Sequence, residues 1–283
     1  MEKPQRGVIC PGCPHRAAYV VVKEAMGRGR GHVICGDAGC RVVGAVHPAA
    51  SACPGGQAAL LPRYNQAAPV GSAAEPGSER CAHFVLDADL MAERADRFSR
   101  ERLAAEGTAA LLCVMTSSAH YLAESGADEL VEQLRTLGYE EVAAVDPFDT
   151  QGATEAARDL LAARGARAVV FASPCAQLMG RSPLAPAAVD RLSCVGCMRC
   201  VQITGCPALR FAPPAAAIDP EACAGCDLCA DFCRTHVIYS PRTGQPLERR
   251  RRERFEAAGV GASMSVGSGT DTVTGAAAEA AHA

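Results

Sequence analysis

The sequence predicts an α/β protein with a mostly parallel sheet, followed by a small module that is dense in cysteine. Three observations predict this fold class. Apolar strands alternate with amphipathic helices over residues 1–180, a linker containing Pro183 and Pro186 follows, and cysteines crowd the segment from 193 to 240. Strands that alternate with helices are typical of a parallel sheet covered by helices on both faces. A chain of 283 residues is long enough for two such domains.

Hydrophobic periodicity assigns the elements of the first module. Helices are predicted where apolar residues recur at helical spacing, and strands where short apolar runs are bounded by polar or glycine-rich segments. Gly138 is predicted to end one helix and Thr150 to cap the next. In chain order the elements are a helix over 17–26, a strand over 32–35, a loop over 48–80, a strand over 83–87, a helix over about 89–105, a strand over 109–115, a helix over 127–138, a strand over 141–145, a helix through 153–165 and a strand over 167–172.

Composition and charge exclude several functional classes. No stretch approaches the roughly 20 apolar residues of a membrane span, and the start lacks the apolar run of a signal peptide, so a cytoplasmic location is expected. A net charge of −3, no Trp and five Tyr argue against nucleic-acid binding. Residues 241–283 are polar and predicted to be disordered, and the arginine run at 249–252 is predicted to form a solvated face.

The cysteine content indicates metal or redox chemistry. The chain has 16 cysteines and no secretion signal, and disulfides are disfavoured in a reducing cytosol. Many of these cysteines stand in C-x-x-C pairs, which scattered core thiols would not form. A metal-binding role is therefore expected.

Two cysteine runs between 194 and 233 have the spacing of a ferredoxin-type segment with two [4Fe–4S] clusters. Each run opens C-x-x-C-x-x-C, so that three thiolates wrap around one corner of a cubane, and Gly196, Gly205 and Gly225 let backbone amides approach the sulfides. In two-cluster ferredoxins the fourth cysteine of each run ligates the other cluster. The predicted ligands are Cys194, Cys197, Cys200 and Cys233 for the first cluster, and Cys223, Cys226, Cys229 and Cys206 for the second.

Two departures from the usual ferredoxin pattern leave these ligands intact. Five residues, not three, separate Cys200 from Cys206, so this loop must bulge, and Arg234 stands where proline is usual. Zinc is the alternative metal, but its sites usually draw four ligands from separated pairs, which two triple-cysteine runs fit poorly. The expected role of the segment is the transfer of single electrons.

Several strings outside the ferredoxin-type segment are distinctive. They are CPGCPHR at 10–16, GDAGC at 36–40, VDPFDTQGATEAARDLL at 145–161 and SPC at 173–175. In this order, followed by CVGCMRCVQITGCPAL, they resemble the C-terminal half of the indolepyruvate:ferredoxin oxidoreductase alpha subunit, within the 2-oxoacid:ferredoxin oxidoreductases. The resemblance covers residues 6–238 and is weak over 48–120. It implies a thiamine-diphosphate-domain-like module over 1–180, a linker over 181–192 and a two-cluster ferredoxin-like domain over 193–240.

The resemblance also implies a third [4Fe–4S] cluster, held by the N-terminal cysteine pair and two distant cysteines. Its ligands in this chain would be Cys10, Cys13, Cys40 and Cys175. A zinc site or four unrelated buried thiols are the alternatives. The remaining cysteines are predicted to be small core hydrophobes: Cys35, Cys53, Cys81 and Cys113.

The thiamine diphosphate site implied by the resemblance is degraded in this sequence. Asp87 stands at the acidic position that would bind Mg²⁺, but Leu86 replaces the preceding glycine. Thr116 or Ser117 stands near the expected asparagine. Because Mg²⁺ demands near-octahedral oxygen ligation, tight binding of Mg²⁺ and thiamine diphosphate is not expected. His15 and His47 are expected to be structural.

The sequence favours an electron-transfer subunit of a cytoplasmic oxidoreductase complex. It would work with partner oxidoreductase subunits and a ferredoxin-like or other electron acceptor. One alternative is a catalytic subunit that, with a partner chain, carries out thiamine-dependent oxidative decarboxylation of a 2-oxoacid. Another is a redox-sensing or scaffold protein whose clusters are structural.

Overall fold

The computed structural model describes residues 10–27, 33–36, 81–87, 110–116, 126–163, 165–175 and 184–259. A five-stranded sheet with strand order β1-β2-β3-β5-β4 organises the first part. All of its neighbouring strands are parallel, which confirms the predicted fold class. The strands are β1 (Val33–Gly36), β2 (Cys81–Leu86), β3 (Ala110–Met115), β4 (Glu141–Val145) and β5 (Arg167–Phe171). The loop predicted over 48–80 and the helix predicted over 89–105 lie outside the described residues.

Helices cover both faces of this sheet. Helices α1 (Pro14–Met26) and α3 (Thr150–Ala162) pack on one face, and α2 (Gly126–Thr136) packs on the other. Side chains alternate along a strand, so Cys113 of β3 faces α1 and α3, and Val114 faces α2. Because both faces are buried, the central strands are continuous apolar runs and do not alternate with polar residues.

The helix ends follow local chemistry, with one difference from the sequence prediction. Gly138, at φ 90°, turns the chain just after α2, as predicted. The N-cap of α3 is Asp149, whose carboxylate accepts a hydrogen bond from the Gly152 N–H at 3.0 Å. Thr150, the predicted cap, is the first helical residue, and its hydroxyl donates to Asp231 at 3.1 Å. Aspartate is a better N-cap than threonine, so N-cap preference favours Asp149 over its neighbour, and the predicted cap was one residue too late.

A cysteine-rich lobe follows, built from short elements. Strand β6 pairs antiparallel with β9, and β7 pairs antiparallel with β8. The elements are β6 (Ala188–Val189), α4 (Arg199–Thr204), β7 (Leu209–Ala212), β8 (Ala215–Ile218), α5 (Leu228–Asp231), β9 (Ile238–Tyr239) and α6 (Leu247–Ala257). Two of them differ from the predicted boundaries: β6 lies within the segment 181–192 predicted as linker, and α6 lies within the segment 241–283 predicted as disordered.

Helix α6 is held by a buried anchor on its inner side. Phe255 is 2 % exposed, and the Arg254 guanidinium forms a buried ion pair with Asp146, at the end of β4. The same guanidinium lies 4.6 Å from the ring centroid of Phe148. On the outer side Arg249 and Arg252 are exposed and pair with glutamates one turn along the helix, so the arginine run forms a solvated face only in part. Within the described ranges, no helix is long and apolar enough to cross a membrane.

Candidate metal centre

The two cysteine runs of the lobe share one backbone conformation. In each run the residue just before the second cysteine is a glycine at positive φ, Gly196 at 65° and Gly225 at 64°. The residue just after the second cysteine is also left-handed, Met198 at 58° and Asp227 at 63°. A left-handed conformation costs a residue with a side chain about 1 kcal/mol or more. Because two such residues occupy equivalent positions, both cysteine loops adopt the same unfavourable backbone conformation.

The glycines allow the backbone of neighbouring segments to approach closely. A Cβ on Gly196 would lie 2.6 Å from the carbonyl oxygen of Pro214, and one on Gly225 would lie 2.6 Å from that of Ala185. The Gly225 N–H also donates to the Cys223 sulfur at 3.4 Å. Gly196 and Gly225 therefore serve chain packing, and the approach of amides to cluster sulfides stays a prediction.

A cavity beside α1, here called the inner cavity, is lined by four cysteines of the lobe. Its volume is about 440 Å³, including the part that is open to solvent. Gly12, Cys13 and Arg16 of the first part of the chain also line it. The lobe cysteines are Cys206, Cys223, Cys226 and Cys229.

A second cavity, here called the outer cavity, is lined by the other four cysteines of the lobe. It encloses about 320 Å³ on the same measure, and Val195, Met198 and Arg234 line it as well. Cys197 is exposed at its surface. Its cysteines are Cys194, Cys197, Cys200 and Cys233. In each cavity three cysteines of one run thus meet the fourth cysteine of the other run, which is the grouping that the crossed ligand assignment requires.

Burial is the main influence on the pKa values of the lobe thiols. Burial raises the pKa of Cys226 to about 12 and raises that of Cys229 well above its ordinary value. Burial also raises the pKa of Cys206, although the Arg16 charge acts against it. At Cys233 burial acts in the same direction, but the N–H groups of Val237 and its neighbours outweigh it and lower the pKa. Cys206, Cys226 and Cys229 therefore favour the protonated thiol, and metal binding at these residues would release the thiol protons.

The described cysteine side chains are free thiols, since no disulfide joins them. Among the described residues, no group of three or more His, Cys, Asp or Glu side chains is placed to hold one metal ion.

One cysteine of the N-terminal pair, Cys13, lines the inner cavity. Cys10 and Cys13 flank a tight turn in which the Cys13 N–H donates to the Cys10 carbonyl at 3.2 Å, with Gly12 at φ 72°. Burial raises the pKa of Cys13 to about 12, and the nearby Cys175 thiolate adds to this effect. The structure thus brings Cys175, after β5, near the pair. Cys40 lies outside the described residues, as does Cys53; Cys113 is buried in the core, as predicted.

The candidate thiamine residues lie at the carboxyl ends of neighbouring strands but are a poor match to a magnesium site. Asp87 and Thr116 are fully buried. The Thr116 hydroxyl donates to the Phe171 carbonyl at 3.0 Å and accepts from the Ser173 N–H at 3.3 Å, so it joins β3 to β5. Leu86 packs its side chain against the core where the resemblance expects glycine. Ser117 and His47 lie outside the described residues.

His15 is a buried polar side chain near these residues. It is almost fully buried, and a backbone hydrogen bond with Thr116 acts on its ring. Burial lowers the pKa of His15 to about 4, so the ring is neutral at pH 7. The backbone hydrogen bond with Thr116 and the charge of Asp87 act in the opposite direction.

Two buried features of the site escape sequence reasoning. Asp227 and Arg242 form a two-pronged ion pair, with nitrogen–oxygen distances of 2.8 and 3.1 Å, that fixes the left-handed turn of the second run. Arg16 joins α1 to the end of α4 by donating to the carbonyls of Thr204 and Gly205. The sole signal for Asp227 was its place inside C-x-x-C-x-x-C, and for Arg16 its place directly after the N-terminal cysteine string.

The fold and the cavities together define a class: a parallel α/β module joined to a lobe with two four-cysteine cavities. No family model matches the chain. The chain is similar to the indolepyruvate oxidoreductase subunit IorA of Methanothermobacter marburgensis, with 26 % identity over 260 residues, covering 84 % of this chain and 40 % of that protein. IorA of Methanothermobacter thermautotrophicus is 25 % identical over 252 residues, or 81 % of this chain and 39 % of that protein. IorA of Pyrococcus abyssi is 32 % identical over 125 residues, or 41 % of this chain and 19 % of that protein.

These comparisons confirm the resemblance that the cysteine strings predicted. The chain spans about 40 % of the length of the curated relatives that it matches over most of its own length.

Proposed function

We propose that the chain is an iron–sulfur electron-transfer subunit of an oxidoreductase complex of the 2-oxoacid:ferredoxin oxidoreductase type. The observation that carries the proposal is the division of eight lobe cysteines between two cavities, four in each. Similarity to IorA, named as an oxidoreductase subunit, supports it. The division of the chain into a thiamine-domain-like module and a two-cluster ferredoxin-like domain belongs to the same proposal.

Each cavity would hold one [4Fe–4S] cluster, and Cys10, Cys13, Cys40 and Cys175 would hold a third. When bound, such a cluster supplies reversible one-electron chemistry. The chain's own residues provide the environment: the amides of Gly225 and Val237 donate to cysteine sulfurs at 3.4 Å, and the apolar walls exclude water. Both features tune a cluster's potential.

The outer cavity offers an exit to a partner. Leu192 is 99 % exposed and Val195 is 64 % exposed, close to the exposed Cys197 in sequence. Arg199 and Arg234 are also exposed. Exposed apolar and basic side chains in and near these cysteine loops would suit an acidic electron carrier, because opposite charges steer encounter.

Analysis of the chain purified without oxygen tests the proposal. We expect about 12 iron and about 12 sulfide per chain, four of each for every cluster. A value of about eight of each would remove the N-terminal cluster and retain the pair in the lobe. Stoichiometric zinc with little sulfide would overturn the proposal. Clusters with potentials too far apart for electron exchange would instead favour a sensing or structural role.

A second candidate is a catalytic subunit that completes a thiamine diphosphate site with a partner chain. The buried Asp87 favours it, because it lies where parallel sheets bind ligands, at the carboxyl end of a strand. Calorimetry with thiamine diphosphate and excess Mg²⁺ separates the candidates. We expect no tight binding by the chain alone, because Leu86 and Thr116 replace the family's glycine and asparagine. Micromolar binding by the isolated chain would put the catalytic role first.

A further inference from the structure

Arg16 lies at the junction between the two parts of the chain. It projects from the first turn of α1 and is 1 % exposed. One terminal nitrogen donates to the carbonyls of Thr204 at 2.8 Å and Gly205 at 2.7 Å, and the other donates to the Cys10 carbonyl at 3.4 Å. The planar fork of an arginine holds several acceptors in fixed directions, which a lysine cannot do. Arg16 is therefore fixed in place on both sides.

The contacts of Arg16 determine where Cys206 lies. Thr204 and Gly205 are the last residues of α4 and its left-handed C-cap, and Cys206 follows directly. Helix ends expose unpaired carbonyls, and a cation that binds them stabilises the end. Five residues separate Cys200 from Cys206, where ferredoxins usually have three. The buried Arg16 guanidinium binds the last two of these five residues and so holds the backbone just before the fourth cysteine.

The charge of Arg16 lies between two groups of cysteines. Its guanidinium lines the inner cavity together with Cys13 and Cys206. The strongest attractions on its charge come from thiolates, namely those of Cys206, Cys13, Cys226 and Cys10. A buried cation is costly unless an anion compensates it. At the outer cavity the lining arginine is Arg234, which is exposed, so water screens its charge.

We propose that Arg16 is a positioning residue whose fixed positive charge raises the reduction potential of the inner cluster relative to the outer one. The inference rests on the proposed function, because it needs a cluster in each cavity. Reduction adds one electron from an external donor to the cluster, with no bond made or broken and no proton transferred. A cation held in a low-dielectric site favours the more negative, reduced state. Electrons would then reside longer on the inner cluster, beside the N-terminal cysteine pair.

Three variants of the full chain, purified without oxygen, test the proposal. Arg16→Gln keeps N–H donors for the carbonyls and removes the charge, and Arg16→Lys keeps the charge and loses the fork. Arg167→Met is the matched control, because Arg167 is also a buried arginine that donates to a backbone carbonyl, that of Ala163, but at the start of β5. Reduction potentials are measured by a redox titration followed by electron paramagnetic resonance. The inner signal is identified as the one altered in Cys226→Ser.

The expected result is a selective shift. In Arg16→Gln the equilibrium constant for reduction of the inner cluster falls by about tenfold or more. This change lowers the reduction potential by about 59 mV or more for one electron. Arg16→Lys retains most of the wild-type potential, Arg167→Met retains all of it, and the outer signal does not change. An unshifted Arg16→Gln overturns the proposal. So does an equal shift, or an equal loss of the cluster, in the Gln and Lys variants, because the role is then purely structural. Wild-type chain without iron and sulfide refutes the proposed function itself.

Discussion

At the scale of single residues, buried charges hold the cysteine-rich lobe in place. Asp227 and Arg242 pair within the lobe, and Arg254 pairs with Asp146 across to β4. Asp227 lies in the left-handed region, which aspartate tolerates better than most residues, and Arg242 also donates to the Ala185 carbonyl at 2.8 Å. Buried pairs of this kind add little net stability, but removing one partner leaves a charge without compensation.

We expect Arg242→Met to destabilise the chain strongly. The substitution leaves the Asp227 carboxylate buried without its cation, which costs about 3–5 kcal/mol in other proteins. Arg249→Met is the matched control, since Arg249 pairs with Glu253 in an exposed position, where such a pair contributes about 0.3–0.5 kcal/mol. The free energy of unfolding in urea distinguishes the two. Equal losses in both variants would contradict the assigned role of the buried pair.

A second residue-scale prediction concerns the glycine of the second cysteine run. Gly225→Ala places a Cβ 2.6 Å from the Ala185 carbonyl and 2.8 Å from the Leu184 Cβ, at a backbone φ of 64°. Gly244 has a similar φ of 79°, but nothing lies within 4 Å of an added Cβ. We expect Gly244→Ala to cost about 1 kcal/mol from backbone strain alone, and Gly225→Ala about 3 kcal/mol, because the clash adds to that strain. The iron content of Gly225→Ala should also fall, which an unfolding curve and an iron assay measure together.

At the scale of elements, the sequence predicted what depends on local periodicity and missed what depends on distant partners. The strands of the sheet and α1 to α3 followed from apolar runs and helical spacing, because the sheet buries both faces and each helix buries one. Strand β6 was read as linker because it has two residues and forms only when β9 pairs with it. Helix α6 was read as disordered because its sequence is almost wholly charged. Its anchor at Asp146 lies 108 residues away, where no local pattern can reveal it.

The candidate site also has features that local sequence predicts and features that depend on distant partners. Cysteine spacing predicted the ligand runs, since three thiolates around one cubane corner must be close in sequence. The Asp227 pair with Arg242 and the contacts of Arg16 were not predictable, because their partners are distant in sequence. Leu86 and Thr116 stay predicted departures from a magnesium site, and the structure adds that the Thr116 hydroxyl bonds to the backbone of β5.

The anchoring of α6 gives an element-scale prediction. Phe255→Ala removes a ring that is 2 % exposed, and loss of a buried phenylalanine costs about 3–5 kcal/mol. Leu247→Ala, at the exposed start of the same helix, should cost less than about 1 kcal/mol, although it removes a similar apolar side chain. Chemical denaturation compares them. If Phe255→Ala proves as mild as Leu247→Ala, the helix is not docked as the structure has it.

At the scale of the whole molecule, the three groups of cysteines form a continuous arrangement. Cys13 of the N-terminal pair borders the inner cavity, and each cavity combines three cysteines of one lobe run with the fourth of the other, so neither is complete without both runs. Helix α1 links the sheet to this arrangement through Arg16, and a small apolar cluster of Ala17, Phe148 and Leu228 packs beside it. A relay needs such proximity, whereas separate structural clusters would not.

The exchange of cysteines leads to a prediction in which each single substitution damages the cluster of the other run. Cys206→Ser should disturb the cluster held by Cys223, Cys226 and Cys229, because the serine hydroxyl replaces the one inner-cavity thiol that comes from the first run. Cys233→Ser should instead disturb the cluster held by Cys194, Cys197 and Cys200. Resonance spectra of the reduced variants, assigned with Cys226→Ser and Cys197→Ser as references, measure which signal changes. Spectra in which Cys206→Ser matches Cys197→Ser would show that each run binds its own cluster, and the two cavities would then not be the cluster sites.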